Sequence, residues 1–237
     1  MIFNACRRWA GRGLKAFLLA LLALLALLAA GGVGGGTAWA GRGPPPLIVA
    51  LGDSLTAGYG LPAAAAFPVR LQSALAAGGV LVRIENAGVS GDTTAGGLAR
   101  LDWVLSDHPA FVLLELGAND ALRGLDPAEA RANLDAILAA LARRHIKVLL
   151  CGMLAPPNLG AAYDRAFDAI YPALAAKYQV PLYPFFLAGV AADPALLQPD
   201  GMHPNAAGVE VIVRRIAPFV RRLVKGEDGE GGSARAR

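Results

Sequence analysis

Short apolar runs alternate along the chain with longer segments in which apolar residues recur every three or four positions. The runs Leu47–Leu51, Phe111–Leu116 and Val148–Cys151 predict buried strands, and Val80–Ile84 and Pro181–Phe186 predict two weaker ones. Strands that alternate with helices are joined by crossover connections, which make the sheet parallel and cover both of its faces. The pattern therefore predicts an α/β protein whose parallel sheet lies between two layers of helices.

Two helical segments carry clear start signals. Asp126 followed by Pro127 predicts an N-cap with proline in the first helical position, and apolar residues then recur at helical spacing as far as Leu141. Asn205 is expected to cap the last helix in the same way. Because proline lacks the backbone N–H that a helix interior requires, we expect Pro218 to bend or end that helix.

The first forty residues differ from the rest of the chain. They hold four of the 22 basic residues and none of the 18 acidic ones, and Ala16–Ala30 contains no polar side chain. A basic stretch, an apolar stretch and the small-x-small site Ala38–Ala40 predict a secretory signal peptide, residues 1–40, cleaved after Ala40. We therefore expect a periplasmic or secreted protein. The alternative is a retained membrane anchor, although this apolar run is shorter than the ~20 residues that a spanning helix needs.

Charge and composition look different once residues 1–40 are set aside. The net charge of +4 lies wholly in that segment, so the remaining chain is formally neutral and indicates no nucleic-acid partner. We expect a stiff linker at 41–46, a single domain at 47–224 and a disordered tail at 225–237. An apolar content of 55% excludes an intrinsically disordered chain, and two cysteines exclude a disulfide-dense scaffold.

Polar segments follow the apolar runs at the carboxyl ends of the predicted strands, where parallel sheets bind ligands. Gly52–Leu55 (GDSL) follows the first strand, Ser90–Asp92 (SGD) the second and Gly117–Asp120 (GAND) the third, while Asp200–His203 (DGMH) precedes the last helix. Taken singly, each segment has an ordinary structural interpretation as a turn or a helix cap. Their occurrence together and in this order indicates a catalytic site.

A serine hydroxyl becomes a good nucleophile only when a base removes its proton. Of the three histidines, His108 and His145 fall at the amino-terminal edge of predicted strands, away from Ser54, so His203 remains as the base. Asp200 lies three residues earlier, and a tight turn can fold it back to orient the histidine ring. These residues predict a serine nucleophile with a histidine base and an aspartate partner.

The four segments resemble the sequence blocks of the GDSL esterases, also called SGNH hydrolases. The stretches GDSLTAGYG, SGDTTAGGLARL, LLELGANDALRGL and DGMHPNAAG are similar to the bacterial periplasmic branch of thioesterases, lysophospholipases and arylesterases, and the similarity spans roughly residues 47–223. The resemblance implies a flavodoxin-like SGNH hydrolase fold, a three-layer α/β/α sandwich with a central, mostly five-stranded parallel sheet. It implies Ser54, Asp200 and His203 as catalytic residues, the oxyanion-hole donors Ser54, Gly91 and Asn119, and no cofactor or metal.

The resemblance also implies the chemistry, which is hydrolysis of carboxylic esters or thioesters of apolar acyl groups through an acyl-Ser54 intermediate. Leu122 and Leu125 after the third strand, and Ala155 and Pro156 after the fourth, predict an acyl pocket. In the resembling branch, loops at these places contact the acyl chain and shift when it binds. We expect a small-molecule or lipid acyl ester as substrate, transient contact with a membrane surface, no nucleic-acid partner and a monomer.

Three alternatives stay open at this point. An α/β-hydrolase elbow requires G-x-S-x-G, and here Thr56 stands where the second glycine is needed. A carbohydrate O-acetylesterase on the same scaffold lacks support from a cluster of aromatic residues. A catalytically silent, membrane-tethered binding protein is expected to break the catalytic constellation, and none of its residues is missing. We interpret Asp53 and Asp120 as residues that order their loops, and Cys151 as a buried structural cysteine.

Overall fold

The central feature of the fold is a parallel sheet of five strands. A computed structural model describes residues 43–227, so the predicted signal peptide and the tail from 228 onward lie outside the described residues. The strands are β1 (Leu47–Gly52), β2 (Arg83–Gly88), β3 (Phe111–Glu115), β4 (Lys147–Cys151) and β5 (Leu182–Tyr183). They run in the order β2-β1-β3-β4-β5, and every pair is parallel. The order reverses at β1, which makes the carboxyl ends of β1 and β3 the expected ligand site.

Helices cover the sheet in two groups. In chain order they are α1 (Ser54–Ala57), α2 (Phe67–Ala77), α3 (Thr94–Ala99), α4 (Leu101–Val104), α5 (Ala118–Leu122), α6 (Pro127–Arg143), α7 (Ala161–Asp168), α8 (Ile170–Tyr178) and α9 (Ala206–Lys225). Helix α2 packs against α9, while α6 packs against α3 and α8. The predicted three-layer α/β/α sandwich with a five-stranded parallel sheet is confirmed.

The interior strands match the sequence prediction, whereas the edge strands do not. Strands β1, β3 and β4 lie within one residue of the predicted bounds, because continuous apolar runs are typical of strands buried on both faces. Strand β2 begins at Arg83 instead of Val80 and is largely polar, since an edge strand has only one neighbour and one side open to solvent. Strand β5 is only two residues long. Apolar content therefore located the buried strands but not the sheet edges.

Helix α9 does not end at Pro218, which was one of the two outcomes expected for that residue. The helix is capped by Asn205, whose side chain accepts the Gly208 N–H, and it continues through Pro218 to Lys225. Its apolar stripe is buried along the whole length, from Val209 to Leu223. Burial of such a stripe offsets the ~3 kcal/mol that proline costs inside a helix. Lys225 is therefore the last residue of a packed helix, not the first residue of the predicted tail.

Between residues 43 and 227, no helix has the length and apolar character needed to cross a bilayer.

Candidate active site

Ser54 lies at the carboxyl end of β1, as the first residue of helix α1. The preceding residue, Asp53, is fully buried and caps this helix, because its Oδ1 accepts the Leu55 N–H at 2.9 Å. An aspartate N-cap satisfies a backbone donor that the helix start leaves free. The expected loop-ordering role of Asp53 is thus confirmed, and it sets Ser54 at the open edge of the sheet.

Three side chains form a continuous hydrogen-bonded chain at this edge. The Nε2 atom of His203 lies 2.9 Å from Ser54 Oγ, and its Nδ1 lies 2.6 Å from Asp200 Oδ2. When Nδ1 carries the proton and donates to Asp200, Nε2 is free to accept the Ser54 proton. The structure therefore brings together the three residues that the sequence singled out. His108 and His145 are exposed and lie just before β3 and β4, at the opposite edge, as expected.

Asp200 is held by the backbone of its own turn. Its Oδ1 accepts the N–H groups of Met202 and His203, at 2.9 and 3.0 Å. These two backbone hydrogen bonds, followed by the bond to the His203 ring, lower the pKa of Asp200 to about 2. Asp200 is consequently a carboxylate across the physiological pH range and can stabilise a protonated His203.

Asn119 bridges the neighbours of the other two expected oxyanion donors, since Asp53 precedes Ser54 and Asp92 follows Gly91. The N–H groups of Ser54 and Gly91 donate to no other group within residues 43–227, and Gly91 has a φ of 85°, which glycine adopts without strain. The Nδ2 atom of Asn119 donates to Asp92 O at 2.9 Å and to Asp53 Oδ2 at 3.1 Å. These contacts fix the amide beside the nucleophile, and an incoming oxyanion has to share its protons with them.

A model of the GDSL-like lipase/acylhydrolase family matches residues 50–211 of the chain. The chain is 40% identical over 178 residues to esterase TesA of Pseudomonas aeruginosa, covering 75% of this chain and 89% of that protein. It is 42% identical over 178 residues to thioesterase 1/protease 1/lysophospholipase L1 of Escherichia coli, covering 75% and 84%. The chain belongs to the GDSL-like lipase/acylhydrolase family. As a member of this family, it is a serine hydrolase.

A solved structure agrees with this assignment. The crystal structure of AlinE4, an SGNH-hydrolase family esterase, superposes with a TM-score of 0.66 at 54% sequence identity. The match covers 76% of this chain and 97% of that one. The family fold is thus shared over nearly the whole length of a related esterase.

An apolar cavity of about 580 Å³ opens beside Ser54 and His203 in this GDSL-like hydrolase. Its walls include three of the four predicted substrate-binding residues, Leu122, Ala155 and Pro156. Leu125 is not part of the wall. Its side chain is exposed, so contact between Leu125 and the substrate stays a prediction. Spacing after a strand locates a loop but does not show which side chains of the loop turn inward.

Further residues hold the site together, and the sequence prediction missed them. The ring of Tyr59 lies 4.6 Å from the His203 ring, centroid to centroid. The Gln198 side-chain amide donates to Tyr59 O at 2.7 Å and to Pro204 O at 3.0 Å, which ties the loop after α1 to the loop that carries His203. Arg123 donates to Gly91 O at 2.7 Å. Of these residues, only Tyr59 lay in a motif that the sequence had singled out, GDSLTAGYG. The others could not be found from the sequence, because contacts between distant segments leave no periodic pattern.

Two remaining predictions concern residues outside the reaction. The carboxylate of Asp120 accepts the backbone N–H and the hydroxyl of Thr94, at 2.8 and 2.6 Å, so Asp120 orders its loop as expected. Cys151 is buried at the end of β4, and within residues 43–227 it is a free thiol. In the part of the chain from 43 to 227, no three His, Cys, Asp or Glu side chains come together as a metal site.

Proposed function

We propose that this serine hydrolase cleaves carboxylic esters and thioesters of apolar acyl groups, through an acyl-Ser54 intermediate. The observation that carries the proposal is the hydrogen-bonded chain of Ser54, His203 and Asp200 at the mouth of a largely apolar cavity. Cavities of this volume are typical of small-molecule sites. Esterase, thioesterase and lysophospholipase names among the relatives support the same reaction class.

The reaction proceeds in two displacements. His203 Nε2 takes the proton from Ser54 Oγ, and the oxygen attacks the acyl carbonyl carbon. The negative charge that develops on the carbonyl oxygen is met by the backbone N–H groups of Ser54 and Gly91 and by the Asn119 amide. The bond to the leaving oxygen or sulfur then breaks, and protonated His203 delivers its proton to the leaving group. Water repeats these steps on the acyl enzyme and releases the carboxylic acid and free Ser54.

The length of the acyl chain tests the substrate class. Each methylene moved from water into the cavity contributes about 0.8 kcal/mol, so kcat/KM for p-nitrophenyl esters should rise about fourfold per methylene from acetate until the cavity is filled. Acyl-CoA thioesters of the same lengths, measured in parallel, show the balance between ester and thioester cleavage. Activity confined to acetate, with none at six carbons or longer, contradicts the proposal and favours the carbohydrate O-acetylesterase.

Ala155→Phe locates the acyl chain within the cavity. The phenyl ring would narrow the cavity, so activity on an octanoate ester should fall much more than activity on an acetate ester. Ala142→Phe is the matched control, because Ala142 is exposed on α6, away from the cavity. An equal loss of activity on esters of all chain lengths would show that the acyl chain does not lie against Ala155.

Asn119→Ala tests the oxyanion hole. Removal of one donor is expected to lower kcat by about 10²–10³-fold while KM changes little, because the donor acts on charge that exists only in the transition state. Asn158→Ala provides the control, since Asn158 is exposed and does not line the cavity. Unchanged kcat in Asn119→Ala would remove Asn119 from the oxyanion hole.

We further propose that residues 1–40 are a signal peptide and that the mature enzyme is periplasmic or secreted. The basic, apolar and small-residue order of that segment supports the proposal. N-terminal sequencing of the protein from an extracytoplasmic fraction should then begin at Gly41. An intact N-terminus in the membrane fraction would instead indicate the retained anchor.

The finer partner predictions stay predictions: transient contact with a membrane surface, no nucleic-acid partner and a monomer. Several large apolar side chains at the mouth of the cavity are exposed, which supports contact with lipid; they are Leu122, Leu154 and Met202.

A further inference from the structure

One buried carboxyl group of the site has no part in the reaction described above. Glu115 ends strand β3 and is only 1% exposed, in the middle of an otherwise apolar sequence. Its Oε2 accepts the Thr56 hydroxyl at 2.7 Å and the Asp53 N–H at 3.4 Å. Its Oε1 has no hydrogen-bond partner in the described part of the chain. A buried acid is costly, so its place beneath the nucleophile requires an explanation.

The two donors to Glu115 flank the nucleophile. Asp53 precedes Ser54 by one residue and Thr56 follows it by two, so one carboxyl oxygen holds the turn on both sides of Ser54. The backbone leaves room for this arrangement at Gly52. A Cβ atom there would lie 2.6 Å from Glu115 Oε2 and 2.1 Å from Thr56 Oγ1. Any side chain larger than hydrogen at this position would therefore clash with both oxygens.

The same contacts extend to the oxyanion hole. Asp53, whose backbone N–H faces Glu115, uses its own carboxylate to accept the Leu55 N–H and the Asn119 amide. Displacement of the Asp53 turn would therefore move the nucleophile and the Asn119 donor together.

We propose that Glu115 is a positioning residue that acts in its protonated, uncharged form, fixing the Asp53–Thr56 turn from beneath so that Ser54 and the oxyanion donor Asn119 keep their geometry. The inference rests on the proposed function, since it assigns a task within the same site. Glu115 does not line the acyl cavity, and its hydrogen bonds go to Asp53 and Thr56 and not to Ser54 Oγ. It acts through Asp53 and Thr56.

The surroundings favour the uncharged form. Burial, followed by the nearby Asp53 charge, raises the pKa of Glu115 well above its ordinary value, whereas the pKa of Asp53 is raised by burial only to about 6. Asp53 therefore carries the single negative charge of the pair at neutral pH. Glu115 also faces the Cys151 thiol from β4 and the Tyr171 hydroxyl from α8, both normally neutral. Arg100, near the same strand ends, is engaged in an ion pair with a carboxylate of the β2–α3 loop.

The proposal makes stability depend on pH in a defined direction. Glu115 keeps its proton in the folded protein, but loses it near the ordinary pKa of 4.5 once the chain unfolds. Its contribution to the free energy of unfolding therefore falls as the pH rises from about 4.5 toward the raised folded pKa. At alkaline pH a second negative charge beneath the oxyanion hole should lower kcat, while KM changes little because Glu115 does not line the acyl cavity.

Two substitutions separate this role from plain packing. Glu115→Leu removes the acceptor, and displacement of the turn is expected to lower kcat by about 10²-fold at neutral pH with little change in KM. Glu115→Gln keeps an acceptor oxygen and cannot ionise, so it should restore most of the lost kcat and remove the alkaline fall of kcat. It should also make the decline of unfolding free energy with rising pH smaller than in the parent, leaving the part that comes from the raised pKa of Asp53. Glu129→Gln, on the exposed first turn of α6, is the matched control and should change none of these quantities.

The proposal is overturned if Glu115→Gln loses as much kcat as Glu115→Leu, or if wild type and Glu115→Gln show the same pH dependence of unfolding free energy. Should Glu115→Leu fail to fold, Thr56→Val tests the same contact from the donor side, with Thr56→Ser expected to restore kcat. A wild-type protein that cleaves no ester at all refutes the proposed function instead, and the comparison of unfolding free energies still decides whether Glu115 is protonated.

Discussion

Replacement of Ser54 by alanine is expected to lower kcat for every ester and thioester by about 10⁴- to 10⁶-fold, because no other group can form the acyl intermediate. The substitution removes one oxygen from a half-buried position, so the fold and the apolar cavity should remain. KM, or the binding of a non-hydrolysable acyl ligand, should therefore change little. Labelling by a fluorophosphonate probe should disappear completely, since the probe reacts with the activated serine oxygen.

Ser106→Ala is the matched control for this experiment. Ser106 is exposed just after α4, before β3, and lies at the opposite edge of the sheet from Ser54. The Ser106→Ala variant should react with the fluorophosphonate probe and hydrolyse esters as the parent enzyme does. Full turnover by Ser54→Ala would refute the assignment of the nucleophile, and absence of labelling in the parent would support the catalytically silent binding protein.

The second large effect is expected from Asp200→Asn, which should lower kcat by about 10³–10⁴-fold. The asparagine oxygen can still accept the backbone N–H groups of Met202 and His203, so the turn should keep its shape. Its NH₂ group, however, faces His203 Nδ1 and favours the tautomer in which Nε2 carries the proton. In that tautomer Nε2 cannot accept a proton from Ser54, and the base is lost although the geometry persists.

Asp193→Asn tests whether the effect belongs to the histidine contact. Asp193 is exposed in the same loop region and accepts the Ala195 N–H at 2.9 Å in a similar local turn, but it contacts no catalytic side chain. It should retain the parental kcat. The tautomer of His203, read from ¹⁵N chemical shifts of its ring, should change only in Asp200→Asn. A parental kcat in Asp200→Asn would show that the aspartate is dispensable.

Acid conditions supply a related expectation for Asp200. Because its folded pKa is depressed to about 2, its contribution to stability is present above its ordinary pKa and is lost as the pH falls toward 2. A fall of kcat between pH 5 and 7 therefore cannot arise from protonation of Asp200.

Ser54, Asp200 and His203 could be proposed from the sequence because the signals around them are local. The Asp53 cap, the Asp200 turn and the Asn205 cap each depend on a side chain that bonds to backbone two or three positions away. The interior strands were predictable for a similar reason, since burial on both faces requires a continuous apolar run. Order along the chain then allowed the four polar segments to be assigned to one edge of a parallel sheet.

The edge strands, Pro218 and Leu125 were not predictable on those grounds. Strand β2 begins where β1 offers backbone hydrogen-bond partners. Its polar sequence has no apolar pattern that would have predicted where the strand starts. Pro218 is tolerated because a helix packed along its whole length gains more from burial than one proline costs. Leu122 enters the cavity wall and Leu125 does not, although both follow the same strand at close spacing.

By itself, the sequence indicated the α/β/α class and pointed to Ser54, Asp200 and His203, because caps, turns and buried strands are encoded over a few residues. Gly91 and Asn119 followed from the resemblance to the SGNH hydrolases. Only the tertiary structure decided which loop side chains form the cavity, that Gln198 joins two loops of the site, and that Glu115 lies beneath the nucleophile. Those contacts join segments as far as 139 residues apart, and which side chains meet across such distances is set by how the layers pack.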